Sequence, residues 1–178
     1  MADSNFIQTL ASSPTKHVKK GEILVRNGWL SDAFYYVEKG CLRSYTIDSK
    51  GKEHVFQFAP EDWIISDQES LMNQGLAILN IDAIENSEIK IIKRPNDSAS
   101  NLDLESLLSM NQKLLRRVYS LQKRIIQLLS SSAEERYLEF LKLYPNLVQR
   151  VPQKMIASYL GITPESLSRV RKQLGKKK

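Results

Sequence analysis

The sequence predicts an α+β fold in which a run of short strands is followed by a run of helices. Three observations carry this reading. Residues 18–94 hold closely spaced apolar segments rich in Val, Ile, Tyr and Phe, closed by Gly, Pro or Asp. From about Asp103 the apolar residues take up helical spacing. After Ser130 the chain breaks and restarts in helix-length pieces punctuated by Pro145, Pro152 and Gly161.

Composition narrows the class. The chain has 178 residues, enough for one large domain or two small ones, and at 42% hydrophobic it can bury a core. It has no apolar run of about 18 residues, so no membrane-spanning helix is expected. The first 21 residues, MADSNFIQTLASSPTKHVKKG, lack the basic-then-apolar order of a secretion signal, and a cytoplasmic protein is expected. The single Cys41 leaves no internal disulfide or all-cysteine cluster. With only His17 and His54 beside it, a metal site is not expected.

Charge is unevenly placed. Residues 1–102 carry 11 Lys/Arg against 14 Asp/Glu, residues 103–130 carry 5 against 2, and residues 131–178 carry 10 against 4. The positive excess therefore lies wholly in the last 76 residues. Such polarity fits an anionic partner at one end, nucleic acid first among them, although GKKK at 175–178 could equally be a solvated basic tail.

Taken in order, EILVRNG, AFYYVEKG, CLRSYTID, EHVFQFAP and EIKIIKR read as strands, with DSKG (48–51) as a hairpin turn. Short strands at this density argue for a sandwich or barrel. Next, Leu107, Asn111, Leu114, Val118, Leu121, Ile125 and Leu128 follow 4-3-4-3-4-3 spacing. A helix with such a seam fits a parallel homodimer, in which a buried Asn pair would fix register. The seam could instead pack on the chain's own barrel, and Leu108, Leu115 and Leu129 widen the stripe enough to serve both. Ser132 and Glu135 have capping-box spacing, so a new helix starts near Ala133 and ends before Pro145. Pro152 opens another, which ends at Gly161.

The terminal stretch GITPESLSRVRKQL (161–174) completes a helix-turn-helix pattern. Small Ala157 lets two helices approach, Gly161 suits the turn, and Leu167 with Val170 anchors the second helix. Thr163 suits the N-cap and Pro164 the first helical turn. Leu167, Val170 and Leu174 form the inner face, while Glu165, Ser168, Arg169 and Lys172 share the outer one. Arg169 can offer a forked donor to guanine, Glu165 can accept from cytosine, and Ser168 can serve a base edge or a phosphate. Thr163, Arg171, Lys172, Lys176 and the other terminal lysines are placed for phosphate contacts, which give affinity without sequence information. An ordinary helical hairpin with a solvated face remains the plain alternative.

GITPESLSRVRKQL, together with Gly21, Gly28, FYYVEKG ending at Gly40 and DSKGKE around Gly51, resembles the CRP/FNR family of bacterial transcription regulators over residues 18–174. The resemblance implies an N-terminal β-roll (jelly-roll-like) sensor domain of the cyclic-nucleotide-binding type over 1–102, a dimerisation helix over 103–130 and a helix-turn-helix domain over 131–178. It implies a homodimer on double-stranded DNA, with RNA polymerase as a candidate partner. The family's Glu-x-x-Ser-Arg reading pattern falls on Glu165, Ser168 and Arg169. Pro164 stands where cAMP-responsive members often carry a further arginine. Familiar members continue into a winged hairpin; here GKKK follows Leu174, and only PNLVQRV (145–151) offers room for wing strands.

The implied effector pocket departs from the family. In DWIISDQESLMNQGLAIL (62–79), Ser66 and Asp67 stand for the Gly-Glu of the phosphate cassette, and Ala77 with Ile78 stands for its Arg-Ser. An alanine there supplies no charge-assisted partner for a cyclic phosphate, and Asp67 and Glu69 are acidic. That pair reads as solvated loop carboxylates. Leu121 replaces a residue that hydrogen-bonds the base in cAMP-responsive relatives. Arg94 or Arg116 is the only evident substitute for the missing arginine. No cofactor is expected: one cysteine cannot hold an iron–sulfur cluster, and His54 on its strand is no clear haem ligand. Any effector is expected to be a small molecule other than cAMP. Two further classes stand beside a regulator: a ligand-binding module acting through protein partners, and an enzyme. The enzyme has no nucleophile-and-base set or Gly-rich phosphate loop behind it.

Overall fold

The computed structural model describes residues 10–93 and 104–176, with the side chains of residues 104–107, 109–110 and 113–114 outside the description. The chain divides into two compact units, residues 1–98 and 99–178. The boundary expected at 102/103, Arg94 and the last two lysines lie outside the described residues, as do the side chains of Leu107 and Leu114.

The first unit is a pair of antiparallel sheets. Its strands are β1 (Thr15–Val18), β2 (Ile23–Val25), β3 (Ala33–Lys39), β4 (Leu42–Ile47), β5 (Glu53–Ala59), β6 (Ile64–Ile65), β7 (Asn80–Ala83) and β8 (Ser87–Lys93). One sheet runs β1-β8-β3-β6 and the other β2-β7-β4-β5. The five segments read as strands from the sequence are β2, β3, β4, β5 and β8. In β3, Ala33, Tyr35 and Val37 alternate inward, and they meet Leu42, Ala59, Ile65, Ile81 and Ile89 in one core.

Two local devices shape this unit. Gly40 has φ +95°, and a Cβ on it would fall within 2.8 Å of the Ser87 backbone, so only glycine fits between β3 and β4. At 48–51 the chain turns as expected: Gly51 N–H donates to the Asp48 carbonyl at 2.9 Å, and Asp48 N–H to the Lys52 carbonyl at 3.0 Å. Asp48 Oδ1 also accepts from the N–H groups of Lys50 and Lys52, and its Oδ2 pairs with His54 Nε2 at 2.8 Å. Away from the core, buried Arg43 forms a forked pair with Asp82 at 2.8 and 2.9 Å and reaches Glu53 at 2.6 Å.

A short helix, α1 (Gln68–Asn73), interrupts the strands and was not legible in the sequence. The second unit contains α2 (Leu104–Ser130), α3 (Ala133–Leu143), α4 (Gln153–Leu160) and α5 (Pro164–Lys176). The capping box at Ser132 and Glu135 is formed in both directions. Tyr137, Phe140, Tyr144 and Tyr159 build an aromatic cluster, with Phe140 and Tyr159 rings 5.6 Å apart and Tyr144 and Tyr159 rings 5.8 Å apart. Residues 145–150 are turns, so the segment with room for wing strands forms none.

Candidate nucleic-acid interface and effector pocket

The last two helices meet through the turn at 161–163. Gly161 adopts φ +66°, and Ile162 N–H reaches back to the Ala157 carbonyl at 3.0 Å, which ends α4 with its carbonyls satisfied. Ala157 is buried at the crossing. Thr163 Oγ1 accepts from Ser166 N–H at 3.2 Å, capping α5, and Pro164 follows as the first helical residue. The Thr163 hydroxyl placed for phosphate contact is thus also the cap.

α5 is two-faced as its spacing requires. Leu167 and Val170 are buried and Leu174 is half-buried. Glu165, Ser168, Arg169 and Lys172 are all exposed, while Arg171 is half-buried beside them. Lys176 is exposed in the last turn. The Glu165 carboxyl is held below its ordinary value, chiefly by its own backbone N–H, then by the Thr163 hydroxyl and the Arg169 charge. It presents an ionised acceptor one turn before the forked donor of Arg169.

On α2 the exposed apolar face includes seam positions and the residues that widen the stripe. Val118, Ile125 and Leu128 are exposed, as is Asn111, while Leu121 is half-buried; Leu128 also lies beside Gly161. Leu108, Leu115, Tyr119, Ile126 and Leu129 are exposed as well, and Leu129 is 82% accessible. Of the described seam positions, Leu121 is the least exposed, and it lies on the side where Arg124 reaches the end of α4.

The residues placed in the effector pocket behave differently from their expectation. Asp67 is not a solvated loop carboxylate: it is 1% exposed. Its Oδ1 accepts from Ser70 N–H at 2.9 Å, capping α1, and its Oδ2 accepts from the N–H groups of Ile78 and Leu79 at 3.0 and 2.9 Å. A carboxylate closing three backbone donors in this way leaves none of them for another anion. Glu69 is half-buried on α1 and accepts from Asn73. Ser66 is buried and accepts from Gln68 Nε2 at 2.6 Å. Ala77 is 2% exposed and part of the apolar core, and its backbone pairs with Gly28 and Trp29. Ile78 is exposed, and Leu121 belongs to the second unit. The structure thus joins Asp67 to the Ala77–Leu79 segment, but through Asp67's own bonds.

Residues 15–96 match the family described as cyclic nucleotide-binding domain. That stretch spans the strands of the first unit. Solved structures extend the likeness to both units. FixK2 from Bradyrhizobium japonicum is 21% identical with a TM-score of 0.79, covering 93% of this chain and 85% of that one. CLP from Xanthomonas campestris, described as a c-di-GMP responsive global regulator, is 17% identical with a TM-score of 0.72, covering 98% and 93%. A CRP/FNR family transcriptional regulator from Thermus thermophilus is 18% identical with a TM-score of 0.66, covering 92% and 87%. No curated protein sequence matches significantly. The chain shares the fold of these structures, an antiparallel β unit followed by helices. Among the described residues, no helix is long and apolar enough to cross a membrane.

Proposed function

We propose that the chain is a homodimeric, sequence-specific DNA-binding transcription regulator of the CRP/FNR type that does not respond to cAMP. The observation that carries this reading is the face of α5. Glu165, Ser168 and Arg169 are exposed together while Leu167 and Val170 anchor the opposite side. That division is what a helix-turn-helix reading head needs in a major groove. Thr163, Arg171, Lys172 and Lys176 flank it as phosphate partners. The apolar face of α2, from Leu108 to Leu129, supports a dimer helix, and a two-fold pair of α5 helices would read half-sites about one helical turn apart. Residues 1–102 then serve as sensor, 103–130 as dimer helix and 131–178 as reading head. The protein would act in the cytoplasm, with RNA polymerase as a further partner.

The sensor is read as unresponsive to cAMP because Asp67 occupies the donors of the cassette and Ala77 offers no cation. Bringing a cyclic phosphate beside a buried carboxylate would cost several kcal/mol, or two decades and more of affinity. The reading assigns no resident cofactor and leaves the sensor either without an effector or with a different small molecule.

Selection of bound sites from random duplex DNA with the full chain tests the proposal. The expected product is a near-palindrome whose half-sites each contain a guanine step and whose affinity falls steeply with salt. Absence of any salt-dependent duplex affinity would reject it in favour of a module acting through protein partners.

A further inference from the structure

The joint between α2 and the reading head is short. α2 ends at Ser130 and α3 starts at Ala133, so only Ser131 and Ser132 lie between them, and Ser132 is used as the α3 cap. Such a joint does not by itself fix the direction in which α4 and α5 leave α2. Side chains from before the joint cross it. Arg124, on α2, donates from Nη2 to the Tyr159 carbonyl at 2.9 Å, and its guanidinium lies 3.7 Å from the centre of the Tyr159 ring. Leu128, one turn further on, packs against Gly161. Lys123 pairs with Glu139 of α3 at 2.6 Å, but both groups are solvent-accessible and the pair contributes little.

The landing point of Arg124 is specific. Tyr159 is the penultimate residue of α4, 8% exposed and held in the aromatic cluster by Phe140 and Tyr144. Its carbonyl is among those a helix leaves without an internal partner, at the negative end of the helix dipole. Arg136 of α3 serves the next carbonyl, Leu160, at 2.7 Å. Two guanidinium groups from two helices thus grip adjacent carbonyls at the end of α4, directly before the turn that launches α5. A planar fork that both stacks and donates suits this place in a way a lysine does not.

We propose that Arg124 is a positioning residue that locks the reading head to the dimer helix and thereby sets the half-site spacing the protein accepts. This rests on the regulator reading given above. It adds that spacing selectivity resides in the Arg124–Tyr159 contact, far from the face that reads bases. α5 itself is untouched by the contact, so base preference within each half-site is a separate property.

The test uses the full chain with Arg124→Ala and Arg124→Lys, assayed below their own melting temperatures. Duplexes carry the selected half-sites at their preferred separation, or moved by one or two base pairs, and one duplex carries a single half-site. Arg124→Ala is expected to lose about tenfold or more on the best-spaced site, the scale of one charge-assisted hydrogen bond. Its preference for that spacing over the shifted ones should flatten by a similar factor, with single half-site base choice unchanged. Arg124→Lys should fall between it and the parent, and it carries the test if the alanine variant does not fold. Parent protein that prefers one spacing, with both variants keeping the same preference, overturns the proposal alone. Parent protein that binds duplex without preferring a spacing also overturns the proposal alone, whereas parent protein with no salt-dependent duplex affinity overturns the regulator reading beneath it.

Discussion

Asp67 Oδ2 lies 3.0 Å from the backbone nitrogen of Ile78, eleven residues further along the chain. With Leu79 N–H on the same oxygen and Ser70 N–H on the other, one carboxylate ties the start of α1 to the start of β7. The segment expected to stand for the phosphate cassette is closed on an acid of its own.

Asp67→Asn should therefore destabilise the protein. The amide can keep the bond to Ser70 N–H but would turn an NH₂ toward the donors of Ile78 and Leu79. Losing charge-assisted bonds and leaving buried N–H groups unmatched costs about 1–3 kcal/mol, measured by chemical denaturation. The parent should show no rise in melting temperature in millimolar cAMP, whereas a ligand at a hundred times its Kd would stabilise by about 2.7 kcal/mol. Stabilisation by cAMP would show that Asp67 yields the site.

The reading face predicts two distinguishable losses. Arg169→Ala should cost about 1–3 kcal/mol on the selected site and relax base choice at one position of each half-site. Lys172→Ala should weaken all sequences nearly equally and lower the salt slope by about 1 per reading head. Titrations at several salt concentrations on matched and mismatched duplexes separate the two. Unchanged base preference in Arg169→Ala would remove it from the reading set.

The exposed face of α2 predicts where the dimer breaks. Ile126 and Leu129 are 54% and 82% exposed in the single chain, so an aspartate at either adds no strain to the unit itself. Buried in a dimer it would cost several kcal/mol, or two decades and more in the dimer Kd. Sedimentation should show Ile126→Asp as a folded monomer. A dimeric Ile126→Asp would place the interface elsewhere.

Legibility followed the range of the interactions. The start of α3 and the turn before α5 could be read because their signals are local: Ser132 with Glu135, and Gly161 with Thr163 and Pro164. β6 could not, since Ile64–Ile65 becomes a strand only by pairing with Tyr35 and Tyr36. β7 is buried along its whole length and so shows no alternation, and its Asn80 and Asp82 look like loop residues until their partners are seen. Asp67 misled for the same reason. Its neighbours Gln68 and Glu69 are polar, but two of its three donors come from beyond α1. The spacing of α2 could not show that Tyr159 takes Arg124, because that contact comes from a helix 35 residues further along the chain.

The β4–β5 turn gives a prediction in pH. The Asp48 carboxyl is lowered from 3.8 to about 2, first by its bond to His54 and then by the N–H of Lys52. A carboxyl lowered by folding stabilises the fold above its unfolded value and loses that contribution as pH falls through the folded one. The contribution should thus be complete above about pH 4 and vanish toward about pH 2, the two ends of the shift. Carbon-detected NMR titration of Asp48 should show a midpoint near the lower end in the parent. In His54→Ala the midpoint should climb part of the way back, since the backbone donors of Lys50 and Lys52 remain. A midpoint that does not move would mean that those amides, and not the imidazole, hold the carboxylate.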